Sequence, residues 1–579
     1  MSTFTGLTTM VRGIYMNQLS LNTVGHNIVN ATNEGYSRQY AAPVATQAEH
    51  RPGLFANLEV GTGVDALSLT RSRDTFADFQ FRRESTKQSY YETMATDYDT
   101  IEAIFNDAQG TGVSDALNAV FQAWSALSTE GPTAANRTTV IESSKILCDT
   151  IKTTASQLQD EINSKYEEIK NHTEHVDQML ATMVELNQEI VAAEADGSMA
   201  NDLRDQRDMV ADDLSKYFTL TITENDRGAY QVVGNGVMLL NGFDRLQLSY
   251  DEAGIATARY GVDYGVSDHF IKIENSNENY APSNGILKAH YDGIDVCKEK
   301  MDTLADIADF LMTTFNDQHA AGYDMDGNIG GNFFGITDYT YEYAYDARNM
   351  HNVVYATDEY GNTTKMSGIQ IINSLKVNSD FDAVGGYRKV AAASRYRDLD
   401  KNNEWITYTA DTDMDAKDDD GNYIYKIDWG NRTGDGTNAV YLSMLFNTPF
   451  SEIVEGGRSN AAIIQKYTLK DANNMEVYDN KGAVTYVTAL GRYSINSFYE
   501  SAMTQIGVDA AAIDTSIDQH DIIMTQIKNW RDSVSGVDWN EELTDMIKYQ
   551  KAYTSCARCL TAMDECLDRL VNNTGTVGR

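Results

Sequence analysis

Apolar residues recur with helical spacing at both ends of the chain. Near the N-terminus, intervals of seven residues separate Leu7, Ile14, Leu21 and Ile28, which predicts an amphipathic helix of about 28 residues. Near the C-terminus, three- and four-residue spacing predicts a second amphipathic helix, which carries Leu543, Tyr553, Leu560, Leu567 and Leu570. Each helix alone would be marginal in water, because its apolar stripe needs a partner. We therefore expect the two chain ends to pack on each other and on copies from neighbouring subunits.

The strongest periodicity lies between these ends. One seam position is held over consecutive heptads by Ile162, Ile169, Val176, Met183 and Ile190. This repeat predicts a coiled-coil-like helix that ends near Gly197. Similar spacing predicts further helices over 76–105, 113–127, 283–318 and 494–531.

From Thr219 onward the pattern changes to alternation of apolar and polar residues, with Gly-Asn turn signals such as Gly234-Asn235-Gly236. Alternation of this kind predicts strands and hairpins, and a similar texture fills residues 322–428. The sequence thus predicts a multidomain α+β fold. Its long helical bundle or coiled-coil core is formed by the N- and C-terminal segments, and a β-rich outer domain is inserted between them.

Three domains follow from this pattern, each assembled from separate segments. Residues 1–40 and 543–579 are predicted to form a terminal coiled-coil domain. The predicted helical core domain comprises 41–218, 283–320 and 434–542, and the predicted β-rich outer domain comprises 219–282 and 321–433.

Composition narrows the range of partners. The 579 residues include 46 Lys and Arg against 85 Asp and Glu, which gives a formal net charge of −39. A chain this acidic repels phosphate backbones and anionic lipid surfaces, so we expect neither nucleic acid nor a membrane as a partner. Only 5 prolines occur, and their scarcity permits very long helices. The first residues lack the basic and apolar segments of a cleaved secretory signal, and no apolar stretch is long enough to span a bilayer.

Two groups of residues have types that occur in metal or redox sites. In both cases their position in the sequence favours a structural role instead. Cys556 and Cys559 form a C-x-x-C pair with Cys566 seven residues further on, yet no strand precedes them, so packing in a helical seam is favoured over a zinc or redox site. His172 lies at a seam position of the predicted coiled coil, one turn from His175 and near Glu168. A packed or partly exposed histidine is therefore favoured there over a metal ligand.

Acidic runs in the middle of the chain suggest calcium loops that are incomplete. The run at Asp411, Asp413 and Asp415 starts like an EF-hand, as does the run at Asp398, Asp400 and Asn402, but both lack the required Gly and the final Glu. Solvated turns are the favoured interpretation. Since no nucleophile elbow, P-loop or H-E-x-x-H motif occurs either, we expect no catalytic residue, no cofactor and no metal site.

Several blocks of the sequence carry a family resemblance. Residues 22–30, which include Asn27 and Asn30, precede Gly35-Tyr36-Ser37-Arg38-Gln39, and together they resemble the N-terminal signature of bacterial flagellar axial proteins. The second block resembles the flagellar hook-associated protein 1 family, the hook-filament junction proteins, in particular. Further matches follow in the same order at 202–208, 315–334, 434–439 and 535–553. Residues 337–428 match nothing in that family.

The resemblance implies a function as well as a fold. It implies a non-enzymatic structural subunit that joins the flagellar hook to the filament, and it places the chain outside the cell after flagellar type III export without a cleaved signal peptide. The implied partners are further copies in a helical ring, the hook protein, a second junction protein leading to the filament, and a cytoplasmic export chaperone at the C-terminal helix. Subunit contacts through Tyr36 and Arg38 are implied, whereas Gly35 and the asparagines also suit an ordinary helix stop.

Two alternatives remain open at this point. One is another axial protein, such as a hook protein or flagellin, and the other is a secreted acidic adhesin whose middle domain binds calcium. If the chain is an axial protein, whether a junction protein or another kind, the apolar stripes of its two ends need helices from other copies as partners. Folding of the ends and assembly of the copies are then a single event. We therefore predict that residues 1–35 and 543–579 are mobile in the free monomer.

Overall fold

The computed structural model describes residues 4–52, 57–105, 110, 112–250, 271–274, 279–346, 351–394, 434–448 and 493–572. Among these residues, the helices are α1 (Phe4–Asn30), α2 (Thr75–Phe105), α3 (Val113–Thr129), α4 (Ala134–Ala193), α5 (Asn201–Leu214), α6 (Ile286–Phe310), α7 (Asn316–Ala320), α8 (Ile369–Ser374), α9 (Thr437–Asn447), α10 (Ile495–Ser535) and α11 (Trp539–Asn572). A π-helical turn, Leu311–Phe315, joins α6 to α7. Within the described ranges, no helix is both long and apolar enough to cross a membrane.

Helix α4 confirms the heptad prediction. It is 60 residues long, begins after Thr133, whose hydroxyl accepts a hydrogen bond from the Asn136 backbone N–H at 3.2 Å, and is followed by a short 3-10 turn. That turn ends at Gly197, which has a positive φ of 87° that favours glycine. All the seam residues from Ile162 to Ile190 are buried. The seam therefore lies inside the chain's own core.

A helical body forms around α4. Helices α2, α3 and α6 pack on it, while α10 runs along α2 and α9 packs on α3. An aromatic cluster closes one part of this core, where Trp124 meets Phe315 at a centroid distance of 5.5 Å and Phe333 at the same distance. The helices predicted at 76–105, 113–127, 283–318 and 494–531 are all present within a few residues of their expected limits.

The strands form several small antiparallel sheets. Their bounds are β1 (Gln39–Ala45), β2 (Glu49–Pro52), β3 (Asn57–Val60), β4 (Val64–Arg71), β5 (Leu220–Glu224), β6 (Tyr230–Gly234), β7 (Val237–Asn241), β8 (Asp244–Arg245), β9 (Leu248–Tyr250), β10 (Ile271–Ile273), β11 (Gly322–Tyr323), β12 (Thr340–Asp346), β13 (His351–Thr357), β14 (Thr363–Ser367) and β15 (Ala393–Ser394). The pairing orders are β1-β4, β2-β3, β5-β6-β7-β8, β9-β10, β11-β15 and β12-β13-β14. The predicted α+β class is confirmed.

Two of these sheets differ from the predicted division of the chain. Strands β1 to β4 lie within 39–71, and we assigned all of this segment from residue 41 onward to the helical core domain. They nevertheless form two two-stranded ribbons, β1-β4 and β2-β3, and the β1-β4 ribbon packs on α1. Strand β1 is rich in alanine and contains one proline, so its apolar and polar residues alternate only weakly. The sequence pattern therefore did not predict this ribbon. In the two β-rich segments, β9 lies on α4 and β13 lies on α6, although α8 of the second segment also contacts α4. The domain limits themselves stay a prediction.

Candidate assembly interface

The two terminal helices lie side by side and antiparallel. Asn27 in α1 contacts Glu542 at the start of α11, while Gly13 and Gly6 lie opposite Cys556 and Met563 further along. A Cβ added at Gly13 would lie 3.2 Å from the Cys556 Sγ, and one added at Gly6 would lie 3.2 Å from the Met563 Cε. The absence of side chains at these glycines lets the helices approach closely. The prediction that the chain ends pack on each other is confirmed.

The pairing covers only part of the apolar surface. All four residues of the N-terminal heptad, Leu7, Ile14, Leu21 and Ile28, are half-buried. In α11, Leu560 and Leu567 are half-buried, whereas Leu543 and Tyr553 are exposed; the side chain of Leu570 lies outside the described residues. Exposed apolar side chains that the heptad pattern did not indicate are Tyr15 and Val29 of α1. A pair of helices with this much uncovered apolar surface has room for further helices.

Asn27 forms the centre of the joint between the helix pair and the body. This buried side chain donates from its Nδ2 to the Gln39 backbone carbonyl at 2.9 Å and to the Glu542 Oε2 at 3.0 Å. Its Oδ1 accepts from the Tyr36 hydroxyl at 2.7 Å and from the Gln39 backbone N–H at 3.0 Å. A side-chain amide with all four of these bonds fixes the end of α1, the turn and β1 relative to α11.

Arg38 and Glu542 carry the main charge pair of the joint. The Arg38 Nε donates to the Glu542 Oε1 at 2.6 Å, and its Nη1 and Nη2 lie 3.2 Å from Glu541 and 3.5 Å from Asp545. The Glu542 side chain is only 1% exposed, whereas Glu541 is 59% exposed. Although desolvation lowers the pKa of Arg38, the hydrogen bond and the three carboxylates raise it above its ordinary value. The buried pair depends on both partners being present.

Tyr36 and its surroundings complete the turn. Its Oη also lies 3.0 Å from the His26 Nδ1, and the rings of the two residues meet edge to face at a centroid distance of 5.5 Å. Partial burial raises the pKa of Tyr36, as do the nearby carboxylates of Asp202, Asp205 and Glu542. The phenol therefore stays a donor to Asn27 at any physiological pH.

Gly35 and Asn30 have the helix-stop role that their positions suggested. Gly35 has a φ of 79°, and a Cβ there would overlap the side chain of Met209. Asn30 donates from its Nδ2 to the His26 carbonyl at 3.0 Å and accepts from the Asn33 Nδ2 at 2.7 Å. Both residues thus end α1 and turn the chain toward the body, and a role in subunit contacts stays a prediction.

A network of arginines and aspartates holds the joint on the body. The Ser37 hydroxyl and backbone N–H both donate to Asp205 of α5, at 2.7 and 2.9 Å. Arg71 of β4 donates to the same carboxylate at 2.6 Å and to Asp208 at 2.9 Å. Burial raises the pKa of Asp208, but Arg73, Arg82 and Arg71 outweigh it and hold that pKa well below its usual range. The carboxylates of α5 thus clamp the segments that lead to and from the ribbon.

The end of α10 is tied into the same network. Arg531 lies 3.1 Å from Asp78 of α2 and 2.6 Å from Asp212 of α5. The backbone N–H of Arg38 donates to the Ser535 carbonyl at 2.9 Å, and the Ser72 hydroxyl donates to the Val534 carbonyl at 2.8 Å. Because α11 begins four residues after Ser535, the segment that follows α1 and the segment that precedes α11 are fixed at one place.

Sequence reasoning missed the two carboxylates on which this joint depends. Glu542 and Asp205 both belong to blocks that carried the family resemblance, but neither was assigned a role. Each lies among several acidic residues, and only the structure separates the buried carboxylates from exposed neighbours such as Glu541. On a helix that carries many acidic residues, sequence spacing does not indicate which of them is buried.

The cysteines confirm the packing prediction only in part. All five are free; Cys148 and Cys297 are buried, and Cys556 packs against Gly13. Cys559 and Cys566 are exposed, so the prediction that they pack in a seam was wrong. The spacing placed them on α11, but α1 covers only one side of that helix.

His172 is half-buried and packed, as its seam position indicated. Its ring stacks on that of His290, with a centroid distance of 5.2 Å and an interplanar angle of 13°. Glu168 lies between His290, at 3.2 Å, and the Lys165 Nζ, at 3.1 Å. Parallel rings cannot direct their nitrogen lone pairs to one point, and in the described part of the chain no group of three metal-binding side chains converges. The two incomplete calcium loops at 398–402 and 411–415 lie outside the described residues.

Two protein-family models match parts of this sequence. The model of the helical domain of the flagellar hook-associated protein FlgK matches residues 98–334. The model of the C-terminal region of the flagellar basal body rod FlgEFG proteins matches residues 532–573, which contain α11 and Glu542.

Curated relatives match along the entire chain. The flagellar hook-associated protein 1 of Bacillus subtilis is 23% identical over 603 residues and covers 100% of both chains. Those of Salmonella typhimurium and Escherichia coli are 24% and 25% identical, each covering 97% of this chain and 98% of the relative. The structure of the flagellar hook junction protein FlgK from Burkholderia pseudomallei shares the fold, with a TM-score of 0.52 at 14% identity over 79% of this chain and 100% of that one.

Proposed function

The chain belongs to the flagellar hook-associated protein 1 family, and from this premise we propose that it is a structural subunit of the bacterial flagellum that joins the hook to the filament. It works by association, without turnover of a substrate. Its site of action is the flagellum.

The observation that carries the proposal is the terminal helix pair on its fixed joint. The pair leaves apolar side chains such as Leu543 and Tyr15 uncovered, while the buried Asn27–Glu542 contact sets its direction relative to the body. Subunits with such a pair gain free energy when they pack these helices against those of other copies, and a contact that does not close on itself builds a helical structure. The joint then holds the body of each subunit in a fixed position around the packed terminal helices.

The proposed partners follow from the same arrangement. Copies of the chain contact one another through α1 and α11, with the hook protein on one side and a second junction protein leading to the filament on the other. Before export, a cytoplasmic chaperone covers the exposed residues of α11, and the chain leaves the cell by flagellar type III export without a cleaved signal peptide. The uncovered apolar side chains on α11 are what such a chaperone would bind.

Deletion of the gene, followed by electron microscopy of the cells and analysis of the medium, tests the proposal. We expect hooks of normal length without filaments, and filament protein released into the medium, with both reversed by the intact gene. Normal filaments in the deletion strain would contradict the proposed function.

The alternatives have less support. Full-length similarity to hook-associated protein 1 from several bacteria, together with the match of its helical domain, does not favour a hook protein or flagellin. The calcium-binding adhesin rested on acidic loops that lie outside the described residues.

A further inference from the structure

An exposed aromatic patch lies on the body close to the joint. It is formed by Phe76 and Phe79 of α2 and by Ile523 and Trp530 of α10, which are 55%, 41%, 41% and 41% exposed. The rings of Phe76 and Trp530 are in contact, with a centroid distance of 5.7 Å. Scattered exposed apolar residues are ordinary, but large aromatic side chains in contact with each other across two helices mark an interaction surface.

The patch is held rigidly. Helices α2 and α10 run antiparallel, because Phe105 meets Tyr499 at one end of the pair while Phe76 meets Trp530 at the other. Arg531, next to Trp530, lies over the Phe81 ring at 4.6 Å and pairs with Asp78. A surface that is ordered before binding pays little conformational entropy when a partner arrives.

One edge of the patch is cationic, although the chain as a whole is strongly acidic. Arg83 is exposed there, and its guanidinium lies 5.9 Å from the centre of the Phe79 ring. Aromatic residues with a basic edge favour a partner that offers apolar contact beside carboxylates. With 85 acidic against 46 basic residues, a second copy of this chain offers mostly acidic surface.

The position of the patch also points to a second copy. The joint fixes the end of α10 relative to the terminal helices, through the Arg38–Ser535 and Ser72–Val534 hydrogen bonds. Copies that pack through α1 and α11 are therefore forced to bring their bodies together near this joint. Trp539, at the start of α11, is exposed as well.

We propose that the patch of Phe76, Phe79, Ile523 and Trp530 is a lateral contact that binds the acidic surface of the neighbouring copy in the assembled structure. This inference rests on the proposed function. In a helical arrangement the contact is heterologous, so the patch of one copy meets a different surface of the next. It supports the terminal helix packing from outside and resists bending at the joint.

Site-specific photocrosslinking in intact flagella tests the contact. A photoreactive phenylalanine analogue replaces Phe79, and the matched control carries it at Ile146, an exposed residue of α4 beside the Lys145–Asp382 ion pair. After irradiation of isolated hook-filament fragments, we expect about ten-fold more crosslinked dimer of this chain from position 79 than from 146. Crosslinks confined to the same chain or to a different flagellar protein, or equal dimer from both positions, would overturn the inference.

The same preparation distinguishes this inference from the proposed function. If the chain is incorporated but position 79 yields no dimer, the lateral contact is wrong and the proposed function stands. If the chain is missing from flagella altogether, the proposed function fails and the inference fails with it.

A double variant measures what the contact contributes. Phe79→Ala with Trp530→Ala should remain folded, as circular dichroism can verify, because both side chains lie partly on the surface and outside the core around α4. We expect its filaments to detach under shear about ten-fold more often than those of the Ile146→Ala control. Retention equal to that of the control would contradict the proposed contact.

Discussion

The α4 seam and the terminal helices carry the same sequence signal but differ in burial. Ile162, Ile169 and their companions recur at intervals of seven and are buried inside the chain. Leu7 and Ile14 recur at the same interval but remain half-buried beside a single partner helix. A heptad pattern thus predicts a helix and its apolar stripe, but it does not tell whether the same chain supplies all the partners. Where the chain supplies too few, the remaining surface is available for assembly.

The largest expected effect comes from the α4 seam. Ile169→Ala should lower the free energy of unfolding of the body by about 2–5 kcal/mol, because it leaves a cavity in a fully buried position. Urea denaturation followed by circular dichroism measures this loss. A change below about 0.5 kcal/mol, the range typical of surface substitutions, would show that the seam is not a core.

The joint should be the next most sensitive region. Glu542→Gln keeps the shape of the side chain but removes the charge that pairs with Arg38, and it should loosen the terminal pair by about 1–3 kcal/mol. Hydrogen exchange would then quicken in α1 and α11 while α4 stays protected. Glu541→Gln is the matched control, because its exposed carboxylate contacts the same arginine and should matter by less than about 1 kcal/mol. Equal effects of the two variants would contradict the central role of Glu542.

A pH-dependent effect should appear in the body. Desolvation lowers the pKa of His290 to about 3, and the positive charge of Lys165 and the nearby His172 contribute. On acidification the unfolded chain therefore binds a proton at this residue that the folded chain does not bind. His290 therefore costs about 1 kcal/mol of stability as the pH falls from 7.5 to 5.5. Asp97 acts in the opposite direction, since desolvation raises its pKa to about 6 despite Lys165.

The two groups can be separated by denaturation curves at both pH values. His290→Gln should flatten or reverse the loss of stability on acidification, whereas Asp97→Asn should steepen it. If both variants follow the wild-type pH dependence, these buried groups do not set it. The exposed ends should contribute little to either curve.

The smallest effect on the free monomer should come from the terminal heptad. Ile14→Ala removes a half-buried side chain and should change the stability of the free chain by less than about 1 kcal/mol. Its effect should instead appear in assembly, as fewer filaments held on hooks in electron micrographs. A loss of monomer stability as large as that from Ile169→Ala would show that the ends belong to the monomer's core.

Periodic and local signals predicted much of this molecule. The heptads of α4 and the packing of the two chain ends follow from residue spacing, which reports helical faces directly. The helix stop at Gly35 follows from the residue type, because glycine readily adopts a positive φ. The β1-β4 ribbon, the exposure of Cys559 and the buried state of Glu542 could not be predicted. Each of them depends on which element covers a given face, and that is decided by contacts between residues far apart in sequence.

Hydrogen exchange on the free monomer and on isolated hook-filament junctions tests the central claim most directly. We expect exchange in α1 and α11 of the monomer to be faster than in α4, strong protection of both helices in the junction, and protection of α4 in both samples. Terminal helices that are as well protected as α4 in the monomer, or that stay unprotected after assembly, would contradict the account.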